Sequence, residues 1–129
     1  MPAPSPDTLK QLKDVPRPAI TFAVARADGA DVAYLGGSDF KVVRLDLAAA
    51  KPEPKELYAH DSYVTGLALA GGTLVSGGYD GQLTWFDTAA GKVVRTHDAH
   101  AKWIRRVAAS PDGKLVASVA DDMLCKVWD

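Results

Sequence analysis

An apolar residue followed by aspartate closes three similar segments of this chain: YLGGSDFKVVRLD, VSGGYDGQLTWFD and ASVADDMLCKVWD. The closing residues, Asp46, Asp87 and Asp129, stand 41 and 42 positions apart. Asp39, Asp80 and Asp122 each lie seven positions earlier, and Ala59-His60 returns as Ala99-His100 after 40. Three landmarks recurring in phase mean one structural unit used repeatedly. A period of about 40–45 residues built from short strands is the signature of a propeller blade.

The texture between landmarks agrees. From Ile20 onward, short β-branched runs alternate with Asp-Gly, Gly-Gly or Pro-containing turns, and no helical period persists over about 11 residues. The expected fold is all-β: four-stranded antiparallel propeller blades, about three of them, forming an incomplete propeller. In the third unit the strands are read at Ile104–Ala109, Leu115–Val119 and Leu124–Trp128, with a tight turn at Ser110-Pro111-Asp112-Gly113. Asp28-Gly29 and Gly71-Gly72 hold the same turn in the other units. Asp-Gly provides the positive φ that such turns require.

Residues 1–7 are expected to be a flexible proline-rich tail, and residues 8–129 the repeat segment, with units at about 19–58, 59–98 and 99–129. TLKQLKDV (8–15) aligns with KVVRTHDA (92–99) and is read as an orphan fourth strand. The chain is 47% hydrophobic and 24% charged with net charge −1, an ordinary globular profile that argues against a polyanion partner. No apolar run reaches the roughly 20 residues of a membrane-spanning helix, and no secretory leader is read. The single cysteine, Cys125, excludes an internal disulfide and a CxxC metal site. It is read as a small core residue. The expected location is cytoplasmic.

The repeats resemble the WD-repeat family. AHAKWIRRVAASPDGKLVASVADDMLCKVWD matches its pattern from a Gly-His-like start to a Trp-Asp end. AHDSYVTGLALAGGTLVSGGYDGQLTWFD matches with Ala59 for Gly and Phe86 for Trp, and the first unit is degenerate. The resemblance implies a buried hydrogen-bond network of His100, Ser118, Asp122 and Trp128 in unit three, and of His60, Ser76 and Asp80 in unit two. Phe86 has no N–H, so Ser76 is expected to lose a partner. Unit one has Leu35, Asp39 and Leu45 at these places and is expected to rely on packing alone. Buried polar groups of this kind persist when mutually satisfied, so the histidines and aspartates are read as structural. The pair Asp121-Asp122 is expected to diverge by strand alternation instead of forming a carboxylate dyad.

No GxSxG, HExxH, GxGxxG or GxxxxGK[ST] occurs. The reading is therefore non-catalytic, with no cofactor and no metal. The resemblance implies a protein-interaction scaffold whose top rim carries three positions per blade: Ala19, Thr21 and Ser38; Tyr63, Thr65 and Tyr79; Trp103, Arg105 and Asp121. Tyr, Trp and Arg are the residues of protein-binding hot spots. Caps on the packing between blades are the alternative for Tyr63 and Trp103. Lys102, Trp103, Arg105 and Arg106 form a basic–aromatic cluster, read as solvated rim in preference to a nucleic-acid contact. Trp85 is read as inter-blade packing. The expected partner is a protein or peptide, with self-association through unpaired blade edges also open. The chain is read as a fragment of a longer propeller. The alternative is a regulatory propeller joined to a catalytic domain in missing sequence.

Overall fold

A computed structural model describes residues 5–27 and 29–129. Residues 1–4 of the expected tail, and Asp28 of the first Asp-Gly turn, lie outside the described residues. Three antiparallel sheets follow one another along the chain. The first blade comprises β1 (Thr21–Arg26), β2 (Val32–Gly37), β3 (Lys41–Asp46) and β4 (Lys55–Ala59). The second comprises β5 (Val64–Ala70), β6 (Thr73–Gly78), β7 (Gln82–Asp87) and β8 (Lys92–Asp98). The third has β9 (Ile104–Ala109), β10 (Val116–Ala120) and β11 (Cys125–Trp128). In each blade the strands pair in sequence order, the arrangement that short hairpin connections impose.

Apolar side chains from facing blades fill the space between them. Tyr34 and Val42 of the first blade meet Val64, Leu67, Leu74 and Phe86 of the second. Ala68, Val75 and Leu83 of the second meet Ile104, Val107 and Val116 of the third. Sheet faces that are each half-apolar become buried only by this stacking. Gly36 and Gly77 set how close the blades come. A Cβ at Gly77 would lie 2.8 Å from Ile104 Cγ2, and one at Gly36 would lie 2.5 Å from Val64 Cγ1. Trp85 packs at the edge of the second interface, with its ring centroid 6.2 Å from that of Trp128.

Two expectations change. Residues 8–15 form no strand: Pro6–Thr8 is a short 3-10 turn and 9–15 joins no sheet. The first two blades take their fourth strands from β4 and β8, and the segment does not pair with the open β11 edge of the three-stranded third blade. The segment instead reaches the β3–β4 turn, where Lys13 Nζ donates to the carbonyls of Leu47 and Ala49 at 2.9 and 3.0 Å. Cys125 is exposed, not core. Its counterpart Leu83 is fully buried beneath the third blade, whereas no described sheet covers the face carrying Cys125 and Val127.

Candidate functional site

Two histidine networks lie at the rim ends of the second and third blades. His100 donates from Nδ1 to Asp122 Oδ2 at 2.8 Å and accepts at Nε2 from Ser118 Oγ at 2.8 Å; Trp128 Nε1 donates to Ser118 Oγ at 2.9 Å. In the second blade His60 Nδ1 donates to Asp80 Oδ2 at 3.0 Å and Ser76 Oγ donates to His60 Nε2 at 2.7 Å. Ser76 keeps its second partner, contrary to expectation. The Tyr58 hydroxyl on β4 donates to Ser76 Oγ at 2.8 Å, while the Tyr58 ring stacks on Phe86 with centroids 5.0 Å apart. Burial pushes the Tyr58 hydroxyl's pKa well up, so it stays a donor. Tyr58 thus supplies across the blade interface the donor that Phe86 lacks.

The first blade also departs from packing alone. Arg17 Nη2 donates to Asp39 Oδ2 at 2.8 Å and Nη1 to Thr21 Oγ1 at 3.1 Å, with the Arg17 side chain 7% exposed. Arginine before the strand fills the role that histidine has in the other blades. The sequence signal was an aspartate in the network position with no histidine ahead of it.

The rim residues owe their direction to an irregularity shared by all three blades. Register shifts at Thr21/Ala23, Val64/Gly66 and Val119/Ala120 leave Phe22, Thr65 and Arg105 as extra residues with no partner opposite. Such a bulge re-aims the side chain it carries. The same registers correct the first blade's rim by one residue. The Ser38 amide donates to the Ile20 carbonyl as the Tyr79 amide does to Tyr63 and the Asp121 amide to Trp103. Ile20 and Phe22, not Ala19 and Thr21, therefore match Tyr63 and Thr65. A one-residue slip turns every side chain to the other face.

Aromatic rings from all three blades join into one stripe. Phe22 and Phe40 lie 5.4 and 5.9 Å from Tyr63, Tyr63 lies 5.5 Å from Tyr79, and Tyr79 stacks on Trp103 at 4.2 Å with a 6° tilt. Phe22, Phe40, Tyr63 and Trp103 are all exposed. Phe22 and Phe40 were missed by the sequence reading: the first because of the register slip, the second because it follows the network aspartate. Phe40 holds φ at +71°, a conformation that disfavours a bulky residue.

Arg105 closes the stripe. Its Nε and Nη2 donate to the two Asp121 oxygens at 2.7 and 2.8 Å, and Nη1 donates to the Tyr79 hydroxyl at 2.8 Å. The guanidinium also lies 5.3 Å from the Tyr79 ring centroid and 5.4 Å from that of Trp103. The fork from Arg105 holds the Asp121 carboxyl below the usual carboxylate range. Asp121 and Asp122 therefore diverge, one to Arg105 and the other to His100. Thr65, read as a rim residue, is buried and donates to the Ile104 carbonyl, so it is closed to a partner. Beside the stripe a shallow hollow of about 330 Å³ is lined by Tyr79, Trp103, Lys102, Asp80 and Asp121. Among the described residues no group of three His, Cys, Asp or Glu side chains converges as a metal site would require, and no helix is long and apolar enough to cross a membrane.

Stacked antiparallel blades tied by His–Ser–Asp networks define a repeat propeller scaffold. The family model described as WD domain, G-beta repeat matches residues 52–87 and 91–129, and the chain belongs to this WD-repeat family. The chain is 32% identical over 102 residues to nuclear distribution protein PAC1 of Arthroderma otae, covering 71% of this chain and 22% of that protein. It is 30% identical over 113 residues to WD repeat-containing protein SL1-17 of Schistosoma mansoni, covering 87% and 37% respectively. It is 30% identical over 94 residues to the p21-activated protein kinase-interacting protein 1-like of Danio rerio, covering 72% and 26%. The chain thus spans between 22% and 37% of the length of these relatives.

Proposed function

We propose that this chain is the binding part of a non-catalytic scaffold and engages a protein or peptide through its rim. The observation that supports this reading is the aromatic stripe running from Phe22 through Tyr63 and Tyr79 to Trp103, closed by the Arg105–Asp121 fork. Large aromatics with an arginine anchor, held half-exposed on a rigid sheet scaffold, are what protein-binding hot spots consist of. The zebrafish relative is named as interacting with a protein kinase, in keeping with a protein partner. A cytoplasmic setting suits a chain with a single thiol.

The test is capture of partners by the wild-type chain and by the Tyr63→Ala, Trp103→Ala and Arg105→Ala variants, each checked for an unchanged melting temperature. Loss of the same partners from all three supports the rim. Retention of every partner by folded variants excludes it.

A further inference from the structure

The rim's hydrogen-bonding groups are strongly one-sided. Its acceptors are occupied: both Asp121 oxygens by Arg105, and Asp80 by His60 and the amides of Asp61 and Gln82. The carbonyls of Tyr63 and Trp103 accept from the amides of Tyr79 and Asp121. Its donors are not. Among the described residues the Trp103 indole N–H, the Tyr63 hydroxyl and the Lys102 ammonium have no hydrogen-bond partner, and all three residues are exposed. The surface therefore offers aromatic faces and donors, with few acceptors left.

We infer that the rim stripe of Phe22, Tyr63, Tyr79 and Trp103 docks a proline-rich segment of a partner protein in the polyproline II conformation. This rests on the rim being the binding surface and names the ligand class. Proline has no N–H, and polyproline II leaves its carbonyls unpaired, so the segment brings acceptors without donors. An extended strand brings N–H groups for which this rim has few acceptors left. A helix keeps most of its carbonyls paired internally and leaves the rim donors unmatched. Pyrrolidine rings lie flat on Tyr and Trp, and the preformed helix binds at low entropic cost. The centroid steps from Phe22 to Trp103 are 5.4, 5.5 and 4.2 Å. At about 3.1 Å per polyproline II residue, a segment of about five residues covers the stripe. Charge favours this ligand over an acidic peptide, because Arg105 is already held by Asp121 and Lys102 is the remaining cation on the hollow.

The experiment titrates the full ¹⁵N-labelled chain with deca-proline and follows the three tryptophan indole N–H signals, using an alternating Gly-Ser decapeptide as control. The Trp103 signal moves and saturates, while those of Trp85 and Trp128 stay in place and report that the blades remain folded. Trp103→Phe keeps a ring but removes the donor along with its indole signal, so its affinity is read from the backbone amide signals of Tyr63 and Tyr79; it weakens binding about fivefold, and Tyr63→Phe does the same. The inference is overturned if millimolar deca-proline leaves the Trp103 signal unmoved, if the Gly-Ser peptide shifts it equally, or if Trp103→Phe binds as tightly. Rim variants that lose their captured partners while deca-proline fails would leave the rim standing and remove the proline ligand. Failure of both experiments removes both readings.

Discussion

The Tyr58 hydroxyl reaches from the last strand of the first blade to Ser76 Oγ in the second, 2.8 Å away. It completes there the network that Trp128 completes within the third blade. Tyr58→Phe removes one donor and leaves the ring stacked on Phe86. The expected loss is about 0.5–1.5 kcal/mol, the net worth of a single hydrogen bond. In that background Phe86→Trp restores an N–H near Ser76 and recovers part of the loss. In the wild-type chain the same change crowds Tyr58 and destabilises. Denaturant unfolding of the four proteins forms a double-mutant cycle, and additive effects would mean that the two positions do not share Ser76.

Arg17 and Asp39 carry the polar interaction of the first blade. The arginine side chain is 7% exposed and the aspartate 26%, so the pair is partly shielded and geometrically fixed. Arg17→Met keeps much of the stem's packing and leaves Asp39 without its partner, at an expected cost of about 1–3 kcal/mol. Arg17→Lys loses the two-point contact with Asp39 and Thr21 and falls between the two. Chemical denaturation of the three proteins gives the order. A Met variant as stable as wild type would mean that the pair is incidental.

The repeat was legible because it rests on residues that recur at fixed spacing. Asp39, Asp80 and Asp122 mark the same turn in each blade, and the His–Ser–Asp sets follow from them. What was not legible is what each blade borrows from outside its own repeat. Tyr58 belongs to one unit and serves the next, and Arg17 precedes the unit it completes. The rim of the first blade was misread by one residue because its first strand is entered through Ile20-Thr21-Phe22, where Thr21 takes the place of the buried Val64 and Ile104. A rule that looks for the first apolar residue selects Ile20 instead. The bulges that turn Phe22 and Arg105 outward leave no composition signal, since they are properties of pairing. Cys125 was misplaced because alternation tells which face a residue takes but not whether another sheet covers that face.

Phe40, Gly81 and Met123 close the same turn in the three blades, each with positive φ: 71°, 75° and 66°. Glycine accepts that conformation, and methionine strains to hold it. Met123 is 94% exposed, so its side chain contributes almost no packing. Met123→Gly is expected to stabilise the chain by about 0.5–1 kcal/mol, the relief of the left-handed conformation less the added freedom of the unfolded chain. Phe40→Gly relieves the same strain but removes a ring from the stripe beside Tyr63. It should therefore raise the melting temperature less and weaken partner binding. Melting curves and a binding titration separate the two, and a destabilised Met123→Gly would contradict the strain argument.

Acid should loosen the histidine networks in a defined window. Burial opposes ionisation of Asp80 and Asp122. Hydrogen bonds from His60 and His100 and from backbone amides outweigh it, leaving both carboxyls below their usual pKa. The unfolded chain, whose aspartates titrate near an ordinary value of about 3.9, therefore takes up protons first as pH falls. The stabilisation is complete above that value and is lost as pH drops through the lower folded-state values. Asp121 and Asp112 shift in the same direction through Arg105 and Ser110, but they are exposed, so added salt should screen the Asp121–Arg105 share. The expected result is a melting temperature that falls steeply below about pH 4 and keeps falling there in high salt. Asp80→Asn is less stable than wild type at pH 6, and its melting temperature falls less between pH 4 and pH 3. Equal slopes for Asp80→Asn and wild type would show that Asp80 is not a group whose protonation drives acid unfolding.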